Sequence, residues 1–481
     1  MRRNMTQVSE DHSVEWENMG RRAGRSVVAI LAVAVVGSTV VGSAAVGSAI
    51  AGPAQSAPGD GLEIVLNGEN NRLNVYDAAT GEKRTLIPSA ADAASGLDIN
   101  AEICFVPDTA AWKPPDQTWF IAGEDTEQNT EPGIIKQGWG VFRLTGSTLA
   151  GIEAEQIGKF VPDSFVTAED NPENYGCGVL PDGRVVTGDV GDQLPQSPAS
   201  GQLIVWYPAT SHFGGAIGPD RNDFPRVPHC KIDVGIGTAG GIEVDGTDVY
   251  IASNRPKLAS GEPGGIYRYD SAIWPTGELP ADGCGRQDAT GEQWADQNKV
   301  GKELFIPQVP GLLLTPSDIV DSGRDTFYVS SVFSGQVAEY DRSGLFLRHV
   351  VNSTGQVGGI TPFGIGVTSD GTLWIADIGV VGPGPAAAAG SVVRVKFDAA
   401  GNAGPLEEID AGLEFPDGIG IAVLSSTSPP VSAPSQPSSV ASGPVTPSQE
   451  LPATGARSWW PVAAGLFGAA LFARLLRGLC P

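Results

Sequence analysis

The chain has 481 residues and a formal net charge of −25, from 55 acidic against 30 basic residues. A surface field of that sign repels nucleic acid and anionic lipid, so nucleic acid is excluded as a partner. Charged residues make up only 18% while Gly (64) and Pro (37) abound, a composition of many short strands and tight turns rather than long helices. The four His include His12 in the leader, which leaves His212, His229 and His349. No HExxH or other metal-type His/Cys spacing occurs, although the acidity itself is compatible with a solubilising surface or with affinity for a divalent cation.

Residues 1–51 read as a signal peptide. Arg2, Arg3, Arg21, Arg22 and Arg25 precede an uncharged run from Ser26 to Ala51 that closes on Ala49-Ile50-Ala51. A basic region, an apolar stretch and a small-residue cleavage site follow one another in export signals. The run is also long enough to span a membrane uncleaved.

From residue 60 to 424 the chain repeats itself loosely. Each unit has an apolar alternation opening on small residues, a turn of Asp-Gly type, and a second strand ending in small or acidic residues. The clearest copies are NYGCGVLPDGRVVTGDVG at 174–191, AGGIEVDGTDVYIASN at 239–254, PSDIVDSGRDTFYVSS at 316–331 and PFGIGVTSDGTLWIADIG at 362–379. A diverged copy opens at Asn100 as NAEICFVPD and resumes at 118–125, and third strands follow at 138–144, 201–207, 264–270, 335–341 and 390–398. FPDGIGIAV at 415–423 is a first strand without followers, while 63–68, 71–77 and 82–87 are later strands without a first. Joined, the end pieces make a sixth unit. The expectation is an all-β, six-bladed β-propeller closed by strands from both termini, which removes the exposed sheet edges.

Residues 425–450 form a Ser/Pro-rich linker without a core-forming composition. Residues 451–481 begin Leu451-Pro452-Ala453-Thr454-Gly455, continue with an apolar stretch from Trp459 to Ala473, and end with Arg474 and Arg477. This order resembles the LPxTG sorting signal of sortase substrates. The resemblance implies that sortase cleaves between Thr454 and Gly455 and joins Thr454 to peptidoglycan. It places the protein outside a Gram-positive cell, covalently anchored in the wall. Export suits the cysteines, since without Cys480 in the tail there remain Cys104, Cys177, Cys230 and Cys284. Three pairings are possible; Cys104–Cys177 with Cys230–Cys284 is the expected one, four buried thiols the alternative.

The repeats resemble six-bladed propellers of the NHL-repeat and senescence-marker/gluconolactonase type, with TPFGIGVTSDGTLWIADIG the nearest match. In the second family a divalent metal, calcium or zinc, sits on the axis on Glu, Asn and Asp side chains that precede the Gly of the innermost strands. There it activates water against a lactone or ester. The corresponding residues here are Ala101, Tyr175, Gly240, Ser317, Phe363 and Asp417. Only Asp417 matches, as metal ligand and acid/base group. Asn100 and Asn174 lie one residue earlier and Glu102 and Asp318 one later; Asn100, Asn174 and Glu102 are the candidate ligands. A second ring, Glu124, Asp125, Asp189, Asn254 and Asp377, is expected around the same mouth, either capping turns or lining a pocket. Trp139, Trp206 and Trp374 are expected to pack between blades.

Two functions remain open: a propeller that binds an extracellular ligand or partner, and a metal-dependent lactonase or esterase. For the address, replacing Thr454 with Ala is expected to shift the protein from the wall fraction to membrane or medium. Cell fractionation with an antibody reads this, and unchanged covalent wall attachment would refute the sorting assignment.

Overall fold

A computed structural model describes residues 61–69, 71–89, 97–124, 138–162, 174–189, 201–214, 224–234, 239–253, 264–276, 284–287, 293–295, 300–353, 359–381, 384–386 and 388–424. The segments expected to be a leader (1–51), a linker (425–450) and a sorting signal with Thr454 and Gly455 (451–481) lie outside the described residues.

The strands form six antiparallel blades, each with four strands from the axis outward. Blade 1 comprises Ile99–Val106, Thr118–Glu124, Gly138–Thr145 and Glu153–Phe160. Blade 2 comprises Asn174–Val179, Val185–Asp189, Gln202–Trp206 and His229–Val234, extended by a ribbon of Gln293–Ala295 and Gly285–Gln287. Blade 3 comprises Ala239–Asp245, Asp248–Ser253, Gly265–Asp270 and Glu303–Pro307. Blade 4 comprises Pro316–Asp321, Thr326–Ser331, Gln336–Asp341 and Phe346–Asn352. Blade 5 comprises Pro362–Val367, Leu373–Asp377, Gly390–Phe397 and Ala403–Leu413. Blade 6 takes its innermost strand, Pro416–Leu424, from the C-terminal end, and Leu62–Glu69, Arg72–Asp77 and Lys83–Ile87 from the N-terminal end. Leu62 pairs with Leu424, Leu66 with Gly420 and Glu69 with Pro416, so the expected closure is present.

Strand side chains alternate between faces, and in a propeller both faces are covered by neighbouring blades. Leu373 and Ile375 therefore pack toward blade 4 with Tyr328 and Val337, while Trp374 and Ala376 pack toward blade 6 with Val65 and Tyr76. Six such layers alternate with the six blades. Trp139, Trp206 and Trp374 are fully buried in them, and Trp206 donates its indole N–H to Thr187 Oγ1 at 2.8 Å. Burying side chains of this kind contributes roughly 2–3 kcal/mol each. The two expected disulfides form. Cys104–Cys177, with Cα atoms 5.8 Å apart, joins the innermost strands of blades 1 and 2, and Cys230–Cys284 spans 6.1 Å between the outer strand of blade 2 and the ribbon segment.

The recurrent Gly of the innermost strands has a packing cause. A Cβ on Gly364 would sit 2.2 Å from the carbonyl oxygen of Asp417 in the next blade. Adding even one carbon there forces two blades apart. Gly364→Ala is expected to destabilise the fold by about 2 kcal/mol, seen as a lower urea midpoint at unchanged slope; an unaltered midpoint would show that the blades do not need this contact.

Candidate functional site on the propeller axis

Every blade carries a β-bulge where its innermost strand begins to pair with the second. Register shifts fall at Asn100/Ile103, Asn174/Cys177, Ala239/Ile242, Pro316/Asp318 and Pro362/Ile365, and blade 6 shifts at Asn67/Glu69. A bulge frees an amide from the ladder and re-aims a side chain. Repeated six times, it builds two tiers of groups around one axis.

The first tier holds the positions where the resembled family keeps its metal ligands. Blades 2 and 5 face one another across the ring, and their residues Tyr175 and Phe363 meet with ring centroids 5.3 Å apart in an edge-to-face contact. The pair fills the axis at that height. Ser317 is buried and accepts or donates to Ser330 Oγ at 3.2 Å. Asp417 is 1% exposed, and its Oδ1 accepts the amide of Gly418 at 2.8 Å. The expected metal centre on Asp417, Asn100, Asn174 and Glu102 is not assembled by the side chains described. Asn174 donates both N–H bonds of its amide to the carbonyls of Glu124 and Gly138, at 2.7 and 2.6 Å, leaving Oδ1 as a buried acceptor without a partner. Asn100 pairs through its backbone with Gly123, and its side chain lies outside the described residues. Among the described residues no three His, Cys, Asp or Glu side chains gather as a metal site. Among the described residues the axis at ligand height holds two aromatic rings with Asp417 and Ser317 beside them, fewer oxygen donors than a divalent cation takes.

The second tier is acidic. The column that holds Gly in blades 2, 3, 5 and 6 (Gly176, Gly241, Gly364, Gly418) holds Glu102 in blade 1 and Asp318 in blade 4, again opposite one another. Glu102 Oε2 accepts the amides of Cys177 (2.9 Å) and Ile242 (3.0 Å), reaching blades 2 and 3. Asp318 accepts the Ile319 amide on Oδ1 and the Ile365 amide on Oδ2, both at 2.7 Å, bridging blades 4 and 5. Gly241 must be Gly here, since its Cβ would lie 1.6 Å from Asp318 Oδ1. The two carboxyls thus seal four amides that the bulges freed, as buried donors require.

Burial disfavours the charged form of these groups and is the first cause of their shifts. Glu102 is pushed well above the ordinary carboxylate range by burial and then by the charge of Asp318, against the pull of its two amides. Asp318 is pushed up to about 7 by burial, again opposed by its amides. Glu243, on the innermost strand of blade 3, is raised to about 8 by burial and by Asp321.

The mouth residues are otherwise engaged. Glu124 is buried with Lys159, Oε2 to Nζ 2.9 Å, and also accepts from Gln156 at 2.9 Å. Asp377 accepts the Thr361 amide at 2.7 Å, the Thr361 hydroxyl at 2.8 Å, the Gly379 amide and the Ser391 hydroxyl, which is turn capping. Asp189 pairs with Asn174 along the backbone; its side chain, Asp125 and Asn254 lie outside the described residues. Sequence reasoning placed Asp318 beside Glu102, one residue after the ligand position, without carrying it into the candidate ligands, and did not single out Glu243. An acidic residue standing in a glycine column was the available signal for the first.

No protein-family model and no curated protein matches the chain. Among solved structures, it is similar to a protein of unknown function from Bacteroides caccae, at 11% identity over 75% of this chain and 98% of that one, with a TM-score of 0.37. It is similar to a luciferin-regenerating enzyme at 13% identity over 74% and 96%, TM-score 0.35. It is also similar to regucalcin, a calcium-binding protein from Agrobacterium tumefaciens, at 14% identity over 64% and 75%, TM-score 0.35. Likeness at this level carries no argument about chemistry. The six blades themselves define the class: an all-β six-bladed propeller.

The raised carboxyls make a pH prediction. In the folded chain Asp318 and Glu243 hold their protons to about 7 and about 8, against 3.8 and 4.5 when unfolded. Folding takes up protons between those limits, so the stability these groups contribute is present at low pH and is lost as pH rises through 7 and 8. Asp318→Asn cannot ionise. The urea midpoint of the wild type relative to this variant is expected to fall from about pH 5 to about pH 8; a constant difference would show that Asp318 is not held protonated.

Proposed function

We propose that the chain is an exported propeller, tethered to the wall by sortase, that binds an extracellular ligand or partner and does not hydrolyse it. The observation that carries this reading is the Tyr175–Phe363 contact across the axis. A Lewis-acid hydrolase of this architecture needs several oxygen donors at one height around an open position. At that height this chain presents two aromatic rings. Partly exposed Phe363 and Phe415, with ring centroids 6.5 Å apart, continue the apolar character toward Val332 and Ile378. That surface suits recognition of an apolar or aromatic group.

A second reading, a metal-dependent lactone or ester hydrolase, is favoured by one feature. Asn174 Oδ1 is a buried oxygen without a partner, of the kind a cation could take. Both readings meet in one experiment. The purified full chain, exposed to calcium and zinc and then dialysed, is expected to retain less than one ion per chain by elemental analysis and to turn over neither lactones nor aryl esters above the uncatalysed rate. One tightly held ion per chain together with turnover would reverse the assignment.

A further inference from the structure

Three of the four paired cysteines sit in strand ladders: Cys104 opposite Ile121, Cys177 opposite Thr187 and Cys230 opposite Val205. Cys284 is the exception. It precedes the ribbon strand Gly285–Gln287, whose partner Gln293–Ala295 meets blade 2 through one registered pair among the described residues, Lys231 with Trp294. By sequence the ribbon belongs to blade 3, between Gly265–Asp270 and Glu303–Pro307. Its two stems are fixed to the ring. The Trp274 indole donates to the Val300 carbonyl at 3.0 Å, Arg184 donates to the carbonyls of Ser271 and Pro275 at 3.1 and 2.9 Å, and Lys302 pairs with Asp233 at 3.0 Å. Between the stems, the described attachments are the Lys231 pair, the contact of half-buried Cys284 with the layer between blades 2 and 3, and the bond to Cys230.

A disulfide resists reduction when the rest of the fold keeps its two thiols together, because the effective concentration of one thiol at the other then stays high. Ladders keep Cys104 and Cys177 in place, with Cα atoms 5.8 Å apart, whether or not the sulfurs are joined. Both also line the axial cavity of about 280 Å³, which admits no second protein. Once Cys230–Cys284 opens, a ladder holds only Cys230. We propose that Cys230–Cys284 is a redox clasp: a protein dithiol opens it and frees the ribbon from blade 2, leaving the ring and Cys104–Cys177 intact. A thiolate of the reductant attacks Cys284 Sγ, the bond to Cys230 breaks, and Cys230 leaves as a thiolate that takes a proton. The second thiol of the reductant attacks the mixed disulfide and releases Cys284 as a thiol. Two electrons and two protons pass to the clasp, and the reductant ends as a disulfide. Opening uncovers the outer edge of His229–Val234, which the ribbon otherwise occupies. The clasp does not depend on what the upper axis binds.

The experiment is a redox titration of the purified full chain, with Cys480 first blocked by iodoacetamide. Mixtures of reduced and oxidised dithiothreitol set the poise, and differential alkylation with mass spectrometry reads each cysteine. Cys230 and Cys284 are expected to be half-reduced at a dithiol-to-disulfide ratio at least about tenfold lower than Cys104 and Cys177. At that poise the amides of 229–234 are expected to exchange with deuterium at least about tenfold faster, while those of the innermost strands keep their protection. Thioredoxin, as a protein dithiol, is expected to reduce this pair alone. Cys284 has no ladder pair to lose, so Cys284→Ser should keep all six blades and show the faster exchange at 229–234 without any reductant. Reduction of both bonds at one ratio, or of Cys104–Cys177 first, would overturn the proposal. So would unchanged exchange at 229–234 in the half-reduced chain, or loss of protection in the innermost strands as the clasp opens.

Discussion

The ladder between Leu62–Glu69 and Pro416–Leu424 is the constraint on which the rest depends. A propeller is a ring of sheets, and a ring with one gap has two exposed edges and an axis open on one side. Here the last blade is shared between strands more than 350 positions apart, as the register of Leu62 with Leu424 requires. Only with that seam closed does Gly420 pack against Ile103 of blade 1. Opposed pairs such as Glu102 with Asp318, and Tyr175 with Phe363, then face each other across a common centre.

The interior is organised by where charge is compensated. Between blades, some buried acids meet lysine or arginine, as Glu124 meets Lys159, and others meet amides and hydroxyls, as Asp377 does. Around the axis the compensation comes from backbone amides freed by the bulges, which Glu102 and Asp318 accept. Amide dipoles offset burial only in part, so both carboxyls remain shifted upward. The same bulges that create the acidic tier thus direct their freed amides at carboxylates, while the tier above brings the Tyr175 and Phe363 rings together.

Much of the architecture was legible because the repeat carries its own geometry. Small residues mark where blades touch, as at Gly364, and Asp-Gly turns mark hairpins, as at Gly183 and Gly371 with φ of 89° and 83°. The outermost strands of blades 1–5 were not legible, while that of blade 6 was read at 82–87. Ala403–Leu413 is largely solvent-facing and Phe346–Asn352 is mostly half-buried, and neither has a two-sided apolar pattern to announce it. The candidate site was legible only in part. Glu102 and Asp318 stand out once the units are aligned, whereas Glu243 in GGIEVDG looks like any outward polar residue of a strand. The engagement of Asn174 and Glu124 depends on the carbonyl of Gly138 and on Lys159, partners that no local pattern connects to them. Tyr175 and Phe363 lie 188 positions apart, and their contact follows only from knowing which blades are opposite.

The bond between Cys104 and Cys177 closes a loop of 73 positions inside the first half of the ring. Loop-closure entropy makes a crosslink of that span worth about 4 kcal/mol. Both cysteines precede most of the chain in order of synthesis, so in oxidising surroundings blades 1 and 2 can be covalently paired before the seam strand exists. Assembly then has a direction: a locked starter pair comes first, and the seam, joined by its ladder and by side-chain packing without a crosslink, comes last.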